Sequence, residues 1–311
     1  MARIIKLLRN PYLNVALALA ILGVIFAFAD TGTVFHNLTW SSFAKFGAAI
    51  LCAFASIFFA TYRHLLLVRP FRLLPLNSYF LHANFLGFLY NYTLPTGLGG
   101  EAFRYAFFEP WLDHTVNLRT LFADRVLGVL TLFVLGSTSI FFLNIGSLLT
   151  KPQIYALYAI GVVAAIISIS YAFYTALKKK KEELDATASA RVAANYAGSV
   201  LSSFVFAALN ILAFLACLSA AGFAGNYVLA FFCVPAILIL QQIPLTVGGW
   251  GTREGAALLI LPIAGSSADT AIAGSVAFGL SCIAAASLGA VISHRSALPA
   301  PSKQSLDGAN P

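Results

Sequence analysis

Residues 94–104 read Leu94-Pro95-Thr96-Gly97-Leu98-Gly99-Gly100-Glu101-Ala102-Phe103-Arg104, and residues 243–254 read Ile243-Pro244-Leu245-Thr246-Val247-Gly248-Gly249-Trp250-Gly251-Thr252-Arg253-Glu254. Each stretch carries Pro-x-x-x-Gly-Gly, with a glutamate and an arginine within five residues of the second glycine. Proline removes a backbone donor and glycine admits positive φ, so an α-helix stops in either segment. Apolar sequence flanks both stops. A chain that breaks twice in the same way inside apolar sequence is predicted to be all-α, with its function at the breaks.

Composition names the solvent around those helices. Of 311 residues, 60% are apolar and only 10% charged, with a mean hydropathy of +0.86; an average soluble domain has about 25% charged residues. Apolar runs long enough to cross roughly 30 Å of hydrocarbon recur along the chain. The expected class is a polytopic membrane helix bundle. The net charge of +8 does not point to nucleic acid, because the basic residues gather in short segments between apolar runs. Cys52, Cys217, Cys233 and Cys282 lie inside apolar runs without CxxC spacing and read as small hydrophobes. His64, His82 and His114 show no metal-ligand spacing, and no P-loop is present to hold ATP, so neither metal nor cofactor is expected.

Charge bookkeeping orders the spans. Arg3, Lys6 and Arg9 precede a first apolar run at 12–29, too long for a signal peptide and therefore read as a retained helix. A second run at 42–62 is followed by Arg63, Arg69 and Arg72, which with the N-terminus mark the cytoplasmic side. Runs at 126–142 and 154–176 lead to Lys178, Lys179, Lys180, Lys181 and Arg191, the strongest cytoplasmic marker, which also suits anionic lipid. Residues 76–110 then begin and end inside, as a re-entrant pair of half-helices around Pro95. By the same bookkeeping 199–220 goes out, 271–292 returns before His294, Arg295 and Lys303, and 227–264 begins and ends outside around Pro244.

The predicted architecture is therefore a single membrane domain over 1–295. Its two inverted-topology halves, about 1–143 and 154–292, each contain one re-entrant broken-helix element. A disordered cytoplasmic tail at 296–311 follows. Both termini are expected in the cytoplasm, at a bacterial cytoplasmic (inner) membrane.

Irregular backbone at membrane depth is tolerated only where protein or a water-filled cavity surrounds it. The substrate-binding set expected around such a cavity is Thr96, Gly99, Gly100, Glu101 and Arg104 at the first break. At the second it is Thr246, Gly248, Gly249, Trp250, Arg253 and Glu254, with Pro95 and Pro244 as the structural breaks. A half-helix starting after each break offers free amides and a positive dipole end to an anion, with Thr252 as N-cap of the second. Arginine forks suit phosphate, and Glu101 and Glu254 hold those arginines or take up a proton. Each charge costs about 2.5–3.5 kcal/mol in the bilayer core, so four beside two breaks need a reason. The competing reading is a local Glu101–Arg104 ion pair at i and i+3 with small-residue helix packing; repetition of the motif favours a site.

Other residues are open to both readings. Asp124-Arg125 gates the cytoplasmic entrance or anchors topology, with the anchor preferred. Asn84, Asn91, Gln241 and Gln242 line the cavity or bond neighbouring helices. Trp40 and Trp111 read as interfacial anchors, and Trp250 as a ring packing on substrate.

The two segments, Leu94-Pro95-Thr96 through Gly100-Glu101 to Arg104 and Pro244 through Gly248-Gly249-Trp250-Gly251 to Arg253-Glu254, resemble the lysylphosphatidylglycerol synthase transmembrane, or flippase-like domain, family. The resemblance spans about 10–295. It implies lipid translocation between leaflets, since members include the membrane half of proteins that make and flip aminoacylated phosphatidylglycerol, relatives in hopanoid trafficking and domains fused to glycosyltransferases. No soluble synthase domain follows residue 295, so aminoacylation by this chain is not expected. The expected function is a flippase moving an anionic-headgroup lipid, or a polyprenyl or hopanoid-type amphiphile. Its partners are the membrane lipid and a separate lipid-synthesising enzyme or glycosyltransferase. The alternatives are a membrane-embedded transferase, with Glu101 or Glu254 as base, and a scaffold for such an enzyme.

Overall fold

The computed structural model describes residues 40–72, 78–94, 99–142, 186–242 and 249–295. They form α-helices, with no strand among the described residues. In chain order these are α1 (Trp40–Val68), α2 (Ser78–Thr93), α3 (Gly99–Phe108) and α4 (His114–Phe142). After them come α5 (Ala186–Ala220), α6 (Tyr227–Gln241), α7 (Thr252–Ile260), a 3-10 turn (Leu261–Ala264) and α8 (Ala268–Arg295). The runs at 12–29 and 154–176, the lysines at 178–181, Pro95, Thr96, Pro244, Thr246, Gly248 and the tail at 296–311 lie outside the described residues.

Three of these helices have spans long and apolar enough to cross a membrane, at Trp40–Val68, Arg191–Ala220 and Ala268–His294. Their outward faces stay apolar where nothing covers them: Leu51, Leu201, Leu288 and Ile292 are exposed. In water that would be costly, whereas hydrocarbon accepts it. The chain is an all-α membrane helix bundle.

Within the helices, hydroxyls return their hydrogen bonds to the preceding turn instead of seeking lipid. Thr61 donates to the Ile57 carbonyl at 2.8 Å, Thr131 to Leu127 at 2.7 Å and Ser203 to Ser199 at 2.8 Å. α6 starts on Asn226, whose side-chain oxygen accepts from the amides of Val228 and Leu229 at 2.9 and 3.1 Å.

The two groups of four helices have the same order and similar lengths, 29, 16, 10 and 29 residues against 35, 15, 9 and 28. Their packing has the same exchange relationship. α1 lies along α5, while α8 packs on α2 and α6 on α4, so the last helix of each group grips the second helix of the other. Aromatic rings pack within each group: Phe54 meets Phe85 at 5.1 Å between α1 and α2, and Phe214 meets Phe278 at 5.0 Å between α5 and α8. The short helix α3 begins on the Gly99-Gly100 pair of the first Pro-x-x-x-Gly-Gly signature, and the short helix α7 follows the second signature by two residues.

Candidate functional site

At the first break, helix α2 ends and α3 begins against it. Gly100 is required there by close approach: a Cβ on it would lie 2.0 Å from the Gly87 carbonyl oxygen and 2.6 Å from the Asn91 side chain. The Gly100 amide donates to Asn91 Oδ1 at 2.9 Å, satisfying one of the free N–H groups at the start of α3. That seating directs Glu101, in the first turn of α3, and Arg104, one turn later, toward α4.

Arg104 is 2% exposed. Its Nη1 donates to Asp124 Oδ2 at 3.0 Å and to Asn84 Oδ1 at 3.3 Å, and its Nη2 to Glu101 Oε1 at 3.4 Å. Asp124 uses its other oxygen to accept from Arg63 Nε at 2.6 Å. Arg125 Nη1 approaches Glu101 Oε1 at 3.2 Å, and its Nη2 donates to the Gln242 carbonyl at 3.1 Å. One network thus joins α1, α3, α4 and the end of α6. Isolated charges would be expelled from this depth; carboxylates shared between guanidiniums make burial tolerable, at a desolvation cost that pairing roughly repays.

The network walls a cavity of about 100 Å³. Arg63, Arg104, Arg125, Glu101 and Asp124 contribute its charge, and Asn91, Asn210, Gln241 and Gln242 its neutral polar groups. Three guanidiniums face two carboxylates, leaving a formal charge of +1. Phe88, Phe206, Leu238 and Phe278 close the remaining walls. Two of those rings also flank the cations, with the Arg63 guanidinium 5.1 Å from the Phe206 centroid and that of Arg104 5.8 Å from Phe88.

The second break is built differently. Gly249 and Gly251 have φ of 78° and 91°, a conformation that L side chains rarely adopt. The N-cap of α7 is Gly251, not Thr252 as expected. Thr252 is the first helical residue and its hydroxyl donates back to the Gly249 carbonyl at 3.0 Å. Glu254 Oε2 accepts from the Gly251 amide at 2.6 Å, so this helix start is already occupied by its own carboxylate.

Arg253 is fully buried. Its Nη2 and Nε donate to Glu254 Oε1 at 2.6 and 3.1 Å, its Nε also reaches Ser275 Oγ at 3.1 Å, and its guanidinium lies 4.6 Å from the Trp250 ring and 5.7 Å from Phe278. Trp250 in turn donates from Nε1 to the Tyr92 carbonyl at 3.2 Å, at the end of α2 beside the first break. The two breaks therefore touch.

The expected site residues separate in space. Glu101, Arg104 and Gly249 line the cavity. Gly99 and Gly100 seat α3, while Trp250, Arg253 and Glu254 form a packed cluster behind the cavity wall shared with Phe278. Asn91, Gln241 and Gln242 take the cavity-lining option left open for them; Asn84 instead bonds Arg104 and His64. Sequence reasoning missed Arg63 and treated Asp124 and Arg125 mainly as anchors. Arg63 sits inside α1 and Asp124 lies roughly 15 Å along α4 at 1.5 Å per residue, so neither is a flanking charge. Their depth within helices was the available signal. Trp111 is also not an exposed interfacial ring: it is buried, 5.3 Å from Tyr79. No group of three or more metal-ligating side chains is assembled among the described residues.

No curated protein and no solved structure matches the chain. A family model described as "Lysylphosphatidylglycerol synthase TM region" matches residues 13–288, which takes in both breaks and every residue of the cavity. On that match the chain belongs to the lysylphosphatidylglycerol synthase transmembrane-region family.

Proposed function

We propose that the protein is a lipid translocase of the cytoplasmic membrane, passing an anionic-headgroup lipid, or a phosphorylated polyprenyl-type amphiphile, between leaflets. The observation that carries this reading is the net-positive cavity of three arginines and two carboxylates inside an otherwise apolar bundle. A headgroup anion neutralises the surplus charge there, while its tail stays in hydrocarbon against the exposed apolar helix faces. Arg104 and Arg125 supply planar donors suited to phosphate. Membership of a lipid-related membrane family supports the same reading.

The two four-helix groups act as inverted halves that rock about the cavity, with α2–α3 and α6–α7 as re-entrant elements. The reciprocal packing of α8 on α2 and α6 on α4 supports this, because it is unchanged when the groups are exchanged. Both termini face the cytoplasm, and a separate lipid-modifying enzyme delivers or receives the lipid. The test is reconstitution into liposomes carrying headgroup-labelled lipids in both leaflets. Faster exchange of anionic than of neutral lipids, lost in Arg104→Ala, is expected; exchange rates equal to empty liposomes for every lipid overturn the reading.

A further inference from the structure

The cations that would take up an anion in the cavity are already claimed by a carboxylate. Glu101 Oε1 lies 3.4 Å from Arg104 Nη2 and 3.2 Å from Arg125 Nη1, and it also accepts from Asn91 Nδ2 at 3.3 Å. An entering anion and the Glu101 carboxylate therefore compete for the same two guanidiniums. Whichever of the two sheds its charge gives way, and a phosphodiester does not take up a proton near neutral pH. Glu101 has a place for one. Its second oxygen, Oε2, is buried and has no partner among the described residues, so a proton adds there without displacing an existing bond. Protonated, Oε2 becomes a donor, and Gln241 Oε1, a buried acceptor equally without a partner among the described residues, lines the same cavity. A buried polar atom left unpaired carries its full desolvation penalty, so a state that pairs it is favoured.

The other charged and titratable groups facing Glu101 are each held in one state. Arg63 from α1, Arg104 from α3 and Arg125 from α4 bring guanidiniums, which keep their charge in proteins. Asp124, also on α4, has one oxygen on Arg63 Nε at 2.6 Å and the other on Arg104 Nη1 at 3.0 Å, so a proton there would break an ion pair. The Tyr92 hydroxyl, from α2, is bonded to the Gln241 and Cys282 side chains. His64 stands behind the wall, its Nδ1 3.2 Å from Asn84 Oδ1, an oxygen that Arg104 also engages. From α5, α6 and α8 the cavity receives no charged side chain among the described residues, and the Arg253–Glu254 pair, at 2.6 Å, lies beyond Phe278.

Resting on the lipid-translocase reading, we infer that transport is coupled to one proton, which Glu101 Oε2 takes from water on the side the lipid leaves and returns to water on the side it enters. The protonated carboxyl loosens its hold on Arg104 and Arg125, and the anion takes both forks. Loss of the proton on the far side restores the ion pairs and expels the anion. A singly charged lipid and one proton thus cross together with no net charge. Uncoupled passage would instead carry one negative charge and follow a membrane potential.

The test uses the full chain in proteoliposomes with phosphatidylglycerol labelled on an acyl chain, its leaflet distribution read with a membrane-impermeant quencher. A pH gradient of about one unit should shift the steady-state distribution about tenfold toward the leaflet facing the alkaline side, the ratio that one proton per lipid sets. A potassium-diffusion potential should leave that distribution unmoved. In weakly buffered detergent, binding of the same lipid should take up a proton, read with a pH dye. Glu101→Gln mimics the protonated carboxyl, so it should bind the lipid more tightly, take up no proton and lose the response to the pH gradient. Weaker binding by Glu101→Gln, or a gradient response that it retains, overturns the assignment of the proton to Glu101. Wild-type exchange that exceeds that of empty liposomes but ignores the pH gradient overturns the coupling and leaves the translocase reading standing. No exchange above empty liposomes removes both.

Discussion

Arg104 and Asp124 meet at 3.0 Å with side chains 3% and 2% exposed, and Asp124 holds Arg63 at 2.6 Å with its other oxygen. One carboxylate therefore fixes two guanidiniums from two different helices. Removing it strands two buried cations. Asp124→Ala is expected to destabilise the protein by about 3–5 kcal/mol, the usual cost of breaking a buried pair. Asp124→Asn, which still accepts hydrogen bonds, should cost less. Thermal unfolding in detergent, with the yield of monodisperse protein, checks the order of the three.

The two arginines beside the breaks separate in what they do. Arg104 borders the cavity, and Arg253 is sealed between Trp250, Phe278 and Glu254. Arg104→Lys keeps a charge but loses the fork, so lipid exchange should fall by about tenfold or more, a larger effect than the stability lost with its bonds to Asn84 and Glu101. Arg253→Lys should instead lower the unfolding temperature, because the lysine forfeits the stacked guanidinium and its paired bonds to Glu254. Equal effects of both substitutions on exchange, relative to the stability each loses, would contradict this division.

The first break demands glycine for room. A Cβ at position 100 would lie 2.0 Å from the Gly87 carbonyl, a backbone atom that cannot swing aside. Gly100→Ala should therefore force α2 and α3 apart and cost more than about 1–3 kcal/mol, the ordinary cost of overpacking. Gly255, on α7, has nothing within 4 Å of where its Cβ would stand. Gly255→Ala should stabilise by about 0.4–1 kcal/mol through helix propensity and unfolded-state entropy. The pair of unfolding temperatures must move in opposite directions.

These contrasts show what the linear sequence carries and what it withholds. The breaks were legible because proline and glycine punctuate structure locally, and the long spans were legible because lipid selects continuous apolar runs. Glu101 and Arg104 stood out as charges beside a break. Arg63, Asp124 and Arg125 did not, because a charge flanking a helix and a charge facing an interior cavity look alike until the partner is known. The partner of Arg63 is 61 residues away. Conversely, Arg253 and Glu254 looked like a second copy of Glu101 and Arg104. The proximity of Ser275, Phe278 and Trp250, which turns them into a packed cluster, exists only in three dimensions.

One hydrogen bond ties the two breaks together. The Tyr92 carbonyl lies in the last turn of α2, and Trp250 Nε1 donates to it at 3.2 Å from across the bundle. Trp250 is held for this by the Arg253 guanidinium stacked 4.6 Å from its ring. If the halves rock about the cavity, the breaks must part, and this bond is one that must open. Trp250→Phe keeps an aromatic face for Arg253 and removes only the donor. It should lower stability by about 0.5–1.5 kcal/mol, the net worth of one hydrogen bond, while raising the rate of lipid exchange. Trp250→Ala also removes the stacking partner, so its stability loss should be larger, about 3–5 kcal/mol on the scale of aromatic truncation. A Trp250→Phe protein with wild-type exchange would mean that the breaks do not separate during transport. The cavity would then have to open between α1, α4 and α5, where Arg63 faces Ser203 at 3.5 Å across a much weaker contact.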